Sequence, residues 1–417
     1  MKKIITFFAV LFIIAAAHVN AQWTEVNNNI GSKTITSMFA FGEDLMVGTM
    51  GGGIFKSSDY GDSWIDVSGD ITSKNVNDIR GGAGPQVVWA ATDNGLFFTQ
   101  DHTSYIDGTS NITNKDINYF WFGDSDFNGT KWAVGTNGDG VYVSDELTGP
   151  WVQRNTGLTG DALVVNDMSG YEDDDDHYSV IGTDGGVFFS IDSLNTWVAA
   201  NGSLTGDALK VNRLFGFSTV VLSATDGGYY LTTDLGVNWI EGIVGEKFNQ
   251  IGIAAFGTPS SFYFLGGTNA YFSLDLQTWN SMDLTGVTGG AITSFATTSQ
   301  YFYVGTETGG VFRKALANVT GIKQISETIP DNFKLHQNYP NPFNPTTTIN
   351  FDIPQTGNVK LSIYNSLGEK VKDLVSEIKS AGSYSVSFDA SNLTSGIYFY
   401  KIEMEAFTSI KKMILVK

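Results

Sequence analysis

The sequence predicts an all-β protein, namely a seven-bladed β-propeller followed by a small C-terminal Ig-like β-sandwich. Among the 417 residues there are 48 Gly, 13% aromatic residues and only 16% charged residues, a composition typical of many short strands joined by tight turns. A strand pattern recurs seven times, and its period stops after Ala317. At roughly 100–200 residues per domain, the length fits two or three domains.

Each repeated unit contains a hydrophobic strand that ends in Gly-Thr or Ala-Thr, a Gly-rich turn and an aromatic strand. An upstream strand and a downstream strand with Trp or Tyr complete most units, so four strands recur. Units of this length can bury their faces only against their neighbours, as the blades of a propeller do. The repeated Thr residues stand 38 to 47 positions apart, at Thr49, Thr92, Thr136, Thr183, Thr225, Thr268 and Thr306.

The two ends of the array are complementary. The seventh unit ends at 312–314 without a Trp-bearing strand, whereas Gln22–Val26 looks like the outer strand around Trp64. An open ring would leave two strand edges exposed, and an N-terminal strand that completes the last blade removes them. A linear solenoid is the alternative, but a solenoid would not need an N-terminal strand that completes its last unit.

The first 21 residues predict export. Lys2 and Lys3 precede an apolar run of 14 positions, from Ile4 to Ala17 with one Thr, and small residues precede Gln22. This is the pattern of a secretory signal peptide that is cut before Gln22. A membrane anchor would need about 18 apolar residues or more, and no other stretch is long and apolar enough to span a bilayer.

Charge and cysteine content exclude several functional classes. A net charge of −19 repels phosphate backbones, so no nucleic-acid partner is expected. The absence of Cys excludes disulfides, thiolate metal sites and cysteine nucleophiles. No paired His spacing supports a zinc site, and no cofactor is expected.

Several turns resemble the Asp-box of sialidase-like (BNR-repeat) propellers, with the pattern S/T-x-D-x-G-x-x-W. Two copies are complete and a third lacks only the Gly. The resemblance implies a structural turn, in which the carboxylate accepts backbone N–H groups, the Gly takes the tight turn and the Trp packs between blades. These residues are therefore not catalytic candidates: Ser57, Asp59, Gly61 and Trp64; Ser190, Asp192 and Trp197; Thr232, Asp234, Gly236 and Trp239.

The chain after the repeats has a different composition. We expect the propeller at 22–318, a linker at 319–332 and a β-sandwich at 333–417, because five of the eight Pro fall between Pro330 and Pro354 and alternating strands follow. Residues 331–417 hold 9 Lys and 8 acids, whereas residues 22–330 hold 13 Lys plus Arg and 35 acids. The tail is nearly neutral and the propeller strongly acidic.

The tail resembles the C-terminal sorting domain of the type IX secretion system. The resemblance covers 337–347, 363–371, 381–402 and 411–417, and its Pro-rich motif consists of Asn338, Tyr339, Pro340, Asn341, Pro342, Phe343, Asn344 and Pro345. It implies a Gram-negative cell, passage through the periplasm, recognition of 333–417 by the type IX machinery, and release or attachment at the cell surface. A sugar-binding or adhesive sandwich is the competing interpretation.

Candidates for catalysis are few. A sialidase needs an arginine cluster, but the mature chain has only Arg80, Arg154, Arg213 and Arg313, at different strand positions. Other Asp-box propellers, such as xyloglucanases, use two carboxylates across a cleft, normally one between two propellers. Asp78 and Asp167 on inner strands are the pair that such an enzyme would use here.

Two groups of acids are candidates for calcium. The run Glu172, Asp173, Asp174, Asp175 and Asp176 lies in a hairpin of the fourth blade, where a solvated acidic tip is the alternative. The Gly-rich turns carry Asp93, Asp139, Asp184, Asp226 and Glu307, which could bind Ca²⁺ or sugar hydroxyls, although they also suit ordinary turns.

The sequence thus favours an exported, noncatalytic binding or structural module at the cell surface or outside the cell. A glycan-active hydrolase, closer to a xyloglucanase than to a sialidase, is the alternative. The ligand is left open between a glycan and a protein.

Overall fold

The computed structural model describes residues 22–30, 33–81, 87–125, 129–172, 177–217, 220–255, 261–273, 275–276, 278–316, 319, 322–326, 330–379, 381–404 and 407–417. The predicted signal peptide at 1–21 lies outside these ranges. The described residues form 36 β-strands, which are arranged in nine four-stranded sheets, and two short 3₁₀ helices. The predicted all-β class, a propeller followed by a β-sandwich, is confirmed.

Four-stranded antiparallel sheets form the first three blades, and each runs from an inner to an outer strand in chain order. Blade 1 has β2–β5, at Ile35–Phe41, Asp44–Thr49, Gly53–Ser57 and Ile65–Asp66. Blade 2 has β6–β9, at Val76–Gly81, Val88–Thr92, Gly95–Thr99 and Ile106–Asp107. Blade 3 has β10–β13, at Ile117–Ser125, Gly129–Thr136, Val141–Ser144 and Val152–Gln153.

The next three blades repeat this order. Blade 4 has β14–β17, at Val165–Glu172, His177–Thr183, Gly186–Ser190 and Val198–Ala199. Blade 5 has β18–β21, at Val211–Phe217, Val220–Thr225, Gly228–Thr232 and Ile240–Val244. Blade 6 has β22–β25, at Phe248–Ala255, Ser261–Gly267, Ala270–Ser273 and Trp279–Ser281. The 3₁₀ helices, Gly160–Leu163 and Gly206–Leu209, precede blades 4 and 5.

The seventh blade closes the ring with the N-terminal strand. It contains β26–β28, at Ile292–Thr297, Tyr301–Thr306 and Val311–Ala315, and its outer strand is β1, Thr24–Glu25. Thr24 pairs with Arg313 and Glu25 with Phe312. The predicted closure is therefore confirmed. Because β1 covers the outer side of β28, the seventh blade has four strands like the other six.

A bulge at the start of every inner strand directs one polar side chain to the next blade. In all seven blades the pairing between the inner and second strand shifts after the first residue of the inner strand. Such a bulge re-aims the side chain that follows it. That side chain, Asn or Thr, donates to the first carbonyl of the next inner strand. The donors are Thr36, Asn77, Asn118, Asn166, Asn212, Asn249 and Thr293, at 2.5–3.1 Å.

Indole groups join consecutive blades near the rim. In five blades the Trp Nε1 donates to a carbonyl just beyond the outer strand of the preceding blade, at 2.7–2.9 Å. The five donors are Trp23, Trp64, Trp151, Trp197 and Trp239. We call the Asn and Thr hydrogen bonds the inner seam and the indole hydrogen bonds the outer seam. Between the two seams the apolar faces of neighbouring blades pack together, for example Met46 and Ile54 of blade 1 with Val76 and Ile79 of blade 2.

The C-terminal domain consists of two four-stranded sheets that enclose one core. One sheet has the order β29-β34-β31-β30 and the other the order β33-β32-β35-β36. Leu361 and Tyr400 are among the buried core residues. The strands β29–β36 are Ile322–Ser326, Lys334–Leu335, Thr346–Ile353, Gly357–Tyr364, Lys370–Lys379, Gly382–Asp389, Gly396–Met404 and Phe407–Leu415.

The segment expected to be a linker, 319–332, contains regular structure. Val319 is buried in the core of the last blade, and β29 pairs with β34 of the sandwich. The sandwich therefore begins about ten residues earlier than the Pro-rich motif suggests. The strand is only five residues long, so its pattern is too short to separate it from a loop.

Candidate functional site

A cavity of about 500 Å³ lies inside the ring of inner strands. The third residue of every inner strand lines it, because the shared bulge gives all seven strands the same register. Five residue types occupy this position in the seven blades: Ser37, Asp78, Tyr119, Asp167, Arg213, Gln250 and Ser294. The ring therefore joins side chains that are far apart in sequence into a single polar surface, the floor of the cavity.

Asp78, one of the two predicted carboxylates, is enclosed by donors. Its Oδ1 accepts from Ser37 Oγ at 2.9 Å and from Arg213 Nη2 at 3.3 Å. Its Oδ2 accepts from Arg80 Nε at 2.9 Å. The side chain is only 3% exposed, so two guanidinium groups neutralise it in place of water.

Asp167, the other predicted carboxylate, is held by backbone donors and by the same arginine. Its Oδ2 accepts from Leu214 N at 2.6 Å and its Oδ1 from Met168 N at 2.9 Å. Arg213 Nη1 lies 3.5 Å from Oδ1, so Arg213 bridges the two predicted carboxylates. Burial raises the pKa of Asp167, and the nearby guanidinium groups oppose that shift only in part.

Tyr119 lies between the two arginines. The guanidinium carbon of Arg80 is 4.1 Å from its ring centroid, and that of Arg213 is 5.4 Å away. Burial raises the pKa of Tyr119 well above its usual value, which keeps the phenol neutral. Two carboxylates and two guanidinium groups give the cluster a net charge of zero.

This cluster corrects one expectation from the sequence. Arg80 and Arg213 occupy different strand positions, which argued against an arginine cluster, yet the long side chain of Arg80 reaches the same ring. Both arginines already neutralise carboxylates, so they are not free to grip an anionic substrate as a sialidase cluster would. Sequence reasoning did not identify Arg80, Arg213 and Tyr119 as site residues. The available signal was that Tyr119 and Arg213 occupy the third position of an inner strand, as the two predicted carboxylates do.

Aromatic side chains form the cavity walls beyond the polar floor. Phe39, Trp121 and Phe215, each two residues after a floor position, line the cavity. Phe39 packs against the inner strand of the next blade, where a Cβ on Gly81 would come within 1.9 Å of its ring. This close approach requires glycine at position 81.

The floor contains hydrogen-bond donors that are not all paired within the protein. Among the described residues, Arg213 Nη1 has no hydrogen-bond acceptor, and neither does the buried Ser294 Oγ. Arg80 uses Nε on Asp78, and its side chain is 38% exposed. Arg213 Nη1 and Ser294 Oγ are themselves buried, so a ligand at this floor would meet the exposed guanidinium of Arg80 and supply acceptor oxygens to it.

The first predicted Asp-box forms a closed turn around Asp59. Its Oδ1 accepts from Ser63 N at 2.9 Å and its Oδ2 from Ser63 Oγ at 2.6 Å, while Ser57 Oγ accepts from Gly61 N at 2.8 Å. Gly61 has φ +94°, in the left-handed region. The hydrogen bonds from Ser63 lower the pKa of Asp59 to about 2. Trp64 follows the turn and is buried.

The other two predicted boxes have the same contacts. Asp234 accepts from Asn238 N at 2.9 Å, and Asp192 accepts from Thr196 N at 2.9 Å. Leu194 stands where the third box lacks its Gly and adopts φ +65°. The sequence pattern missed two similar turns, around Asp101 and Asp275, because both lack the Gly and are one residue shorter before the aromatic side chain. All five carboxylates serve their own turns.

The acids of the Gly-rich turns are also engaged within the protein. Each accepts a hydrogen bond from the start of an inner strand or from the segment that leads into it, at 2.7–3.1 Å. The acceptors are Asp93, Asp139, Asp184, Asp226 and Glu307. Residues 173–176 lie outside the described residues, as does the Glu172 side chain, so the acidic run is not placed. No group of three or more potential ligands that could hold a metal occurs in the described parts of the chain.

The Pro-rich motif of the tail fastens the entry of the sandwich to its last strand. Asn338 is buried, and its Nδ2 donates to Thr347 Oγ1 at 2.9 Å. Asn341 Oδ1 accepts from Ile414 N, and Phe343 N donates to Ile414 O, both at 2.9 Å. Tyr339 is 82% exposed. Pro340, Pro342, Asn344 and Pro345 complete this segment.

Comparison with solved structures shows the fold. The extracellular domains of a hybrid two-component system and of a one-component system, both from B. thetaiotaomicron, match with TM-scores of 0.53 and 0.54 and identities of 14% and 13%. The matches cover 92% and 95% of this chain, which spans only 56% and 58% of those structures. An ancestral GH74 enzyme matches with a TM-score of 0.52 and 12% identity, over 95% of this chain and 63% of that one. No curated protein matches the sequence.

The tail matches a family. Residues 337–417 match the family described as the secretion system C-terminal sorting domain. Within the described residues, no helix has the length and apolar character needed to cross a membrane. The chain is therefore a propeller protein with a type IX C-terminal sorting domain, which directs it to the cell surface or the extracellular space.

Proposed function

We propose that the propeller is a noncatalytic binding module of the Asp-box type, which the sorting domain delivers to the cell exterior. The mutual neutralisation of Asp78, Asp167, Arg80 and Arg213 carries this proposal. A general base needs an oxygen that can take a substrate proton, and both carboxylates already accept donors at each oxygen.

The binding site proposed here is the cavity inside the ring. The exposed guanidinium of Arg80 at the floor favours a ligand with acceptor oxygens. The walls of Phe39, Trp121 and Phe215 favour a ligand with an apolar face. Glycans and peptide segments both combine these properties. The Asp-box assignment is supported by the turns at Asp59, Asp192 and Asp234, which leave no carboxylate of these turns for chemistry.

A glycan-active hydrolase is the second candidate, and one observation favours it. Burial raises the pKa of Asp167, which is the direction required of a general acid. The side chain is only 2% exposed, however, so a glycosidic oxygen would have to displace its backbone donors to reach it. The GH74 likeness concerns the fold alone.

The test is a glycan and peptide array with the secreted protein, run beside a hydrolysis screen on plant and host polysaccharides. We expect array ligands whose binding falls at least tenfold in Trp121→Ala and Arg80→Ala, and no release of reducing ends. Ile65→Ser, on an exposed outer strand, is the control and should bind normally. Hydrolysis that disappears in Asp167→Asn would support the enzyme instead, and binding unaffected by both cavity variants would exclude the cavity as the site.

A further inference from the structure

The outer face of one sheet in the sorting domain is unusually apolar. Side chains alternate along β35, so Tyr400 and Ile402 enter the core while Ile397 and Phe399 point outward. In an antiparallel sheet with one solvated face, outward positions are normally polar. Here Ile397 is 46% exposed, and Ile410 on the neighbouring edge strand is 58% exposed.

Phe399 and Ile410 line one open cleft of about 530 Å³, which we call the tail cleft. It is bounded by Tyr364, Leu367, Phe399, Lys401 and Ile410, with the turn residues 365–368. Strand pairing sets the arrangement, because Tyr364 lies opposite Phe399 and Lys401 lies opposite Ile410.

Leu367 is held out into solvent by a well-formed turn. It is 81% exposed, and its backbone N–H donates to Asn365 Oδ1 at 3.0 Å. Glu369 N donates to the same oxygen at 3.0 Å, and Asn365 Nδ2 donates to Glu369 Oε2 at 2.7 Å. The turn thus presents an apolar side chain in a defined position beside an apolar cleft, as a preformed docking surface does.

The charge at the cleft indicates the kind of partner. Lys412 lies opposite Phe399 and is exposed, and no acidic side chain among the described residues pairs with it. Lys401, by contrast, forms an ion pair with Glu403. The tail as a whole is nearly neutral while the propeller is strongly acidic, so an acidic partner surface is attracted to this face and repelled by the propeller.

We propose that the tail cleft is the surface by which the type IX machinery recognises this sorting domain, and that its partner is a protein surface with an apolar centre and an acidic rim. The Pro-rich motif then acts by holding the edge strand β36 in place, since Asn341 and Phe343 both bond to Ile414. A second copy of this chain fits less well, because it would bring two faces that each carry Lys401 and Lys412 together.

The experiment uses the full chain in a bacterium with the type IX system and measures the fractions in the medium, at the surface and in the periplasm. We expect the double variant Leu367→Ser/Ile410→Ser to accumulate in the periplasm, with at least tenfold less protein outside the cell. Lys412→Glu should reduce export by a smaller factor. Ile65→Ser on the propeller and Ser387→Glu on the other sheet of the tail are matched controls and should be exported normally.

Two further measurements keep the outcome clear. Each variant is purified and its melting temperature compared with that of the wild type, and Lys412→Glu, an exposed change, carries the test if the double variant unfolds. Export of folded Leu367→Ser/Ile410→Ser at the normal level would overturn the proposal. So would a wild-type dimer that the double variant converts to an exported monomer, because the cleft would then serve a second copy.

Discussion

The propeller joins its blades at two radii, and the two seams use different chemistry. The inner seam consists of Asn or Thr donors in all seven blades, each bonded to the first carbonyl of the next inner strand. The outer seam uses Trp indoles in five blades, with Tyr105 and Trp279 at the corresponding places in the other two. Sheets that radiate from an axis diverge with distance, so a short side chain spans the inner gap and only a large aromatic one spans the outer gap.

The difference teaches where the molecule tolerates variation. At the inner seam the bulge fixes the geometry, and only residue types with a donor of the right length fit. At the outer seam burial of a large ring supplies most of the stabilisation, so Tyr105 can replace a Trp in the second blade. Four predictions test this comparison, from the largest expected effect to the smallest.

Deleting residues 22–26 attacks the outer seam where the chain ends meet. It removes the pairing of β1 with β28, the Trp23 indole bond to Asp283 O and the carbonyl of Val26 that accepts from Trp64. We expect loss of the monomeric propeller through an exposed strand edge, measured by gel filtration and thermal unfolding. Thr24→Ala, at an exposed position of the same strand, is the control. A deletion variant that stays monomeric with an unchanged melting temperature would show that this seam is dispensable.

Trp239→Ala tests the aromatic contribution within the ring. Trp239 is buried, and its indole donates to Ala200 O at 2.8 Å. Removing a buried Trp typically costs about 3–5 kcal/mol of unfolding free energy. Trp239→Phe keeps the ring but leaves the carbonyl without its donor, for about 1–3 kcal/mol. Denaturant unfolding measures both, with exposed Ile240→Ala as the control. Equal losses in Phe and Ala would contradict the assignment of most stabilisation to ring burial.

Asn249→Ala tests the inner seam. It removes the 3.0 Å hydrogen bond to Ile292 O and leaves a carbonyl unsatisfied, which should lower the unfolding free energy by about 1–2 kcal/mol. Asn249→Thr should lose less, because Thr36 and Thr293 make the same contact in their own blades. If denaturant unfolding gives Asn249→Thr the same unfolding free energy as Asn249→Ala, the side-chain hydrogen bond at this position does not join the inner strands.

Acidification should change the unfolding free energy in opposite directions through the Asp-box carboxylate Asp59 and the cavity carboxylate Asp167. Hydrogen bonds from Ser63 lower the pKa of Asp59 from its ordinary 3.8 to about 2, so its stabilising contribution is present above pH 3.8 and is lost as the pH falls toward about 2. Burial shifts the pKa of Asp167 upward, so its protonation on acidification favours the folded state instead. Unfolding free energies from pH 5 to pH 2 should therefore show a shallower decline in Asp59→Asn and a steeper one in Asp167→Asn. A common slope in both variants would contradict the opposite signs.

The blades could be predicted from the sequence because each contains its own evidence. The repeated Thr, the Gly-rich turns and the Trp are local features, and the surplus strand at residues 22–26 matches the missing strand after Lys314. The cavity floor could not be predicted in the same way. Its third positions carry five different residue types in seven blades, and Arg213 meets Asp78 across 135 positions of sequence. Only the ring geometry brings them together, and Arg80 joins them through its length rather than its register.

The N-terminal strand of the seventh blade also sets the order in which the molecule can be made. Thr24 is synthesised near the beginning of the chain, and its partner Arg313 appears only when the last blade is complete. Long-range pairing of this kind is slow to form. The sorting domain follows the last blade, so a ribosome that has produced the tail has already produced every strand of the ring. A chain that terminates before the end of the seventh blade therefore lacks both its closure and its sorting domain, so export that depends on the sorting domain selects for complete propellers.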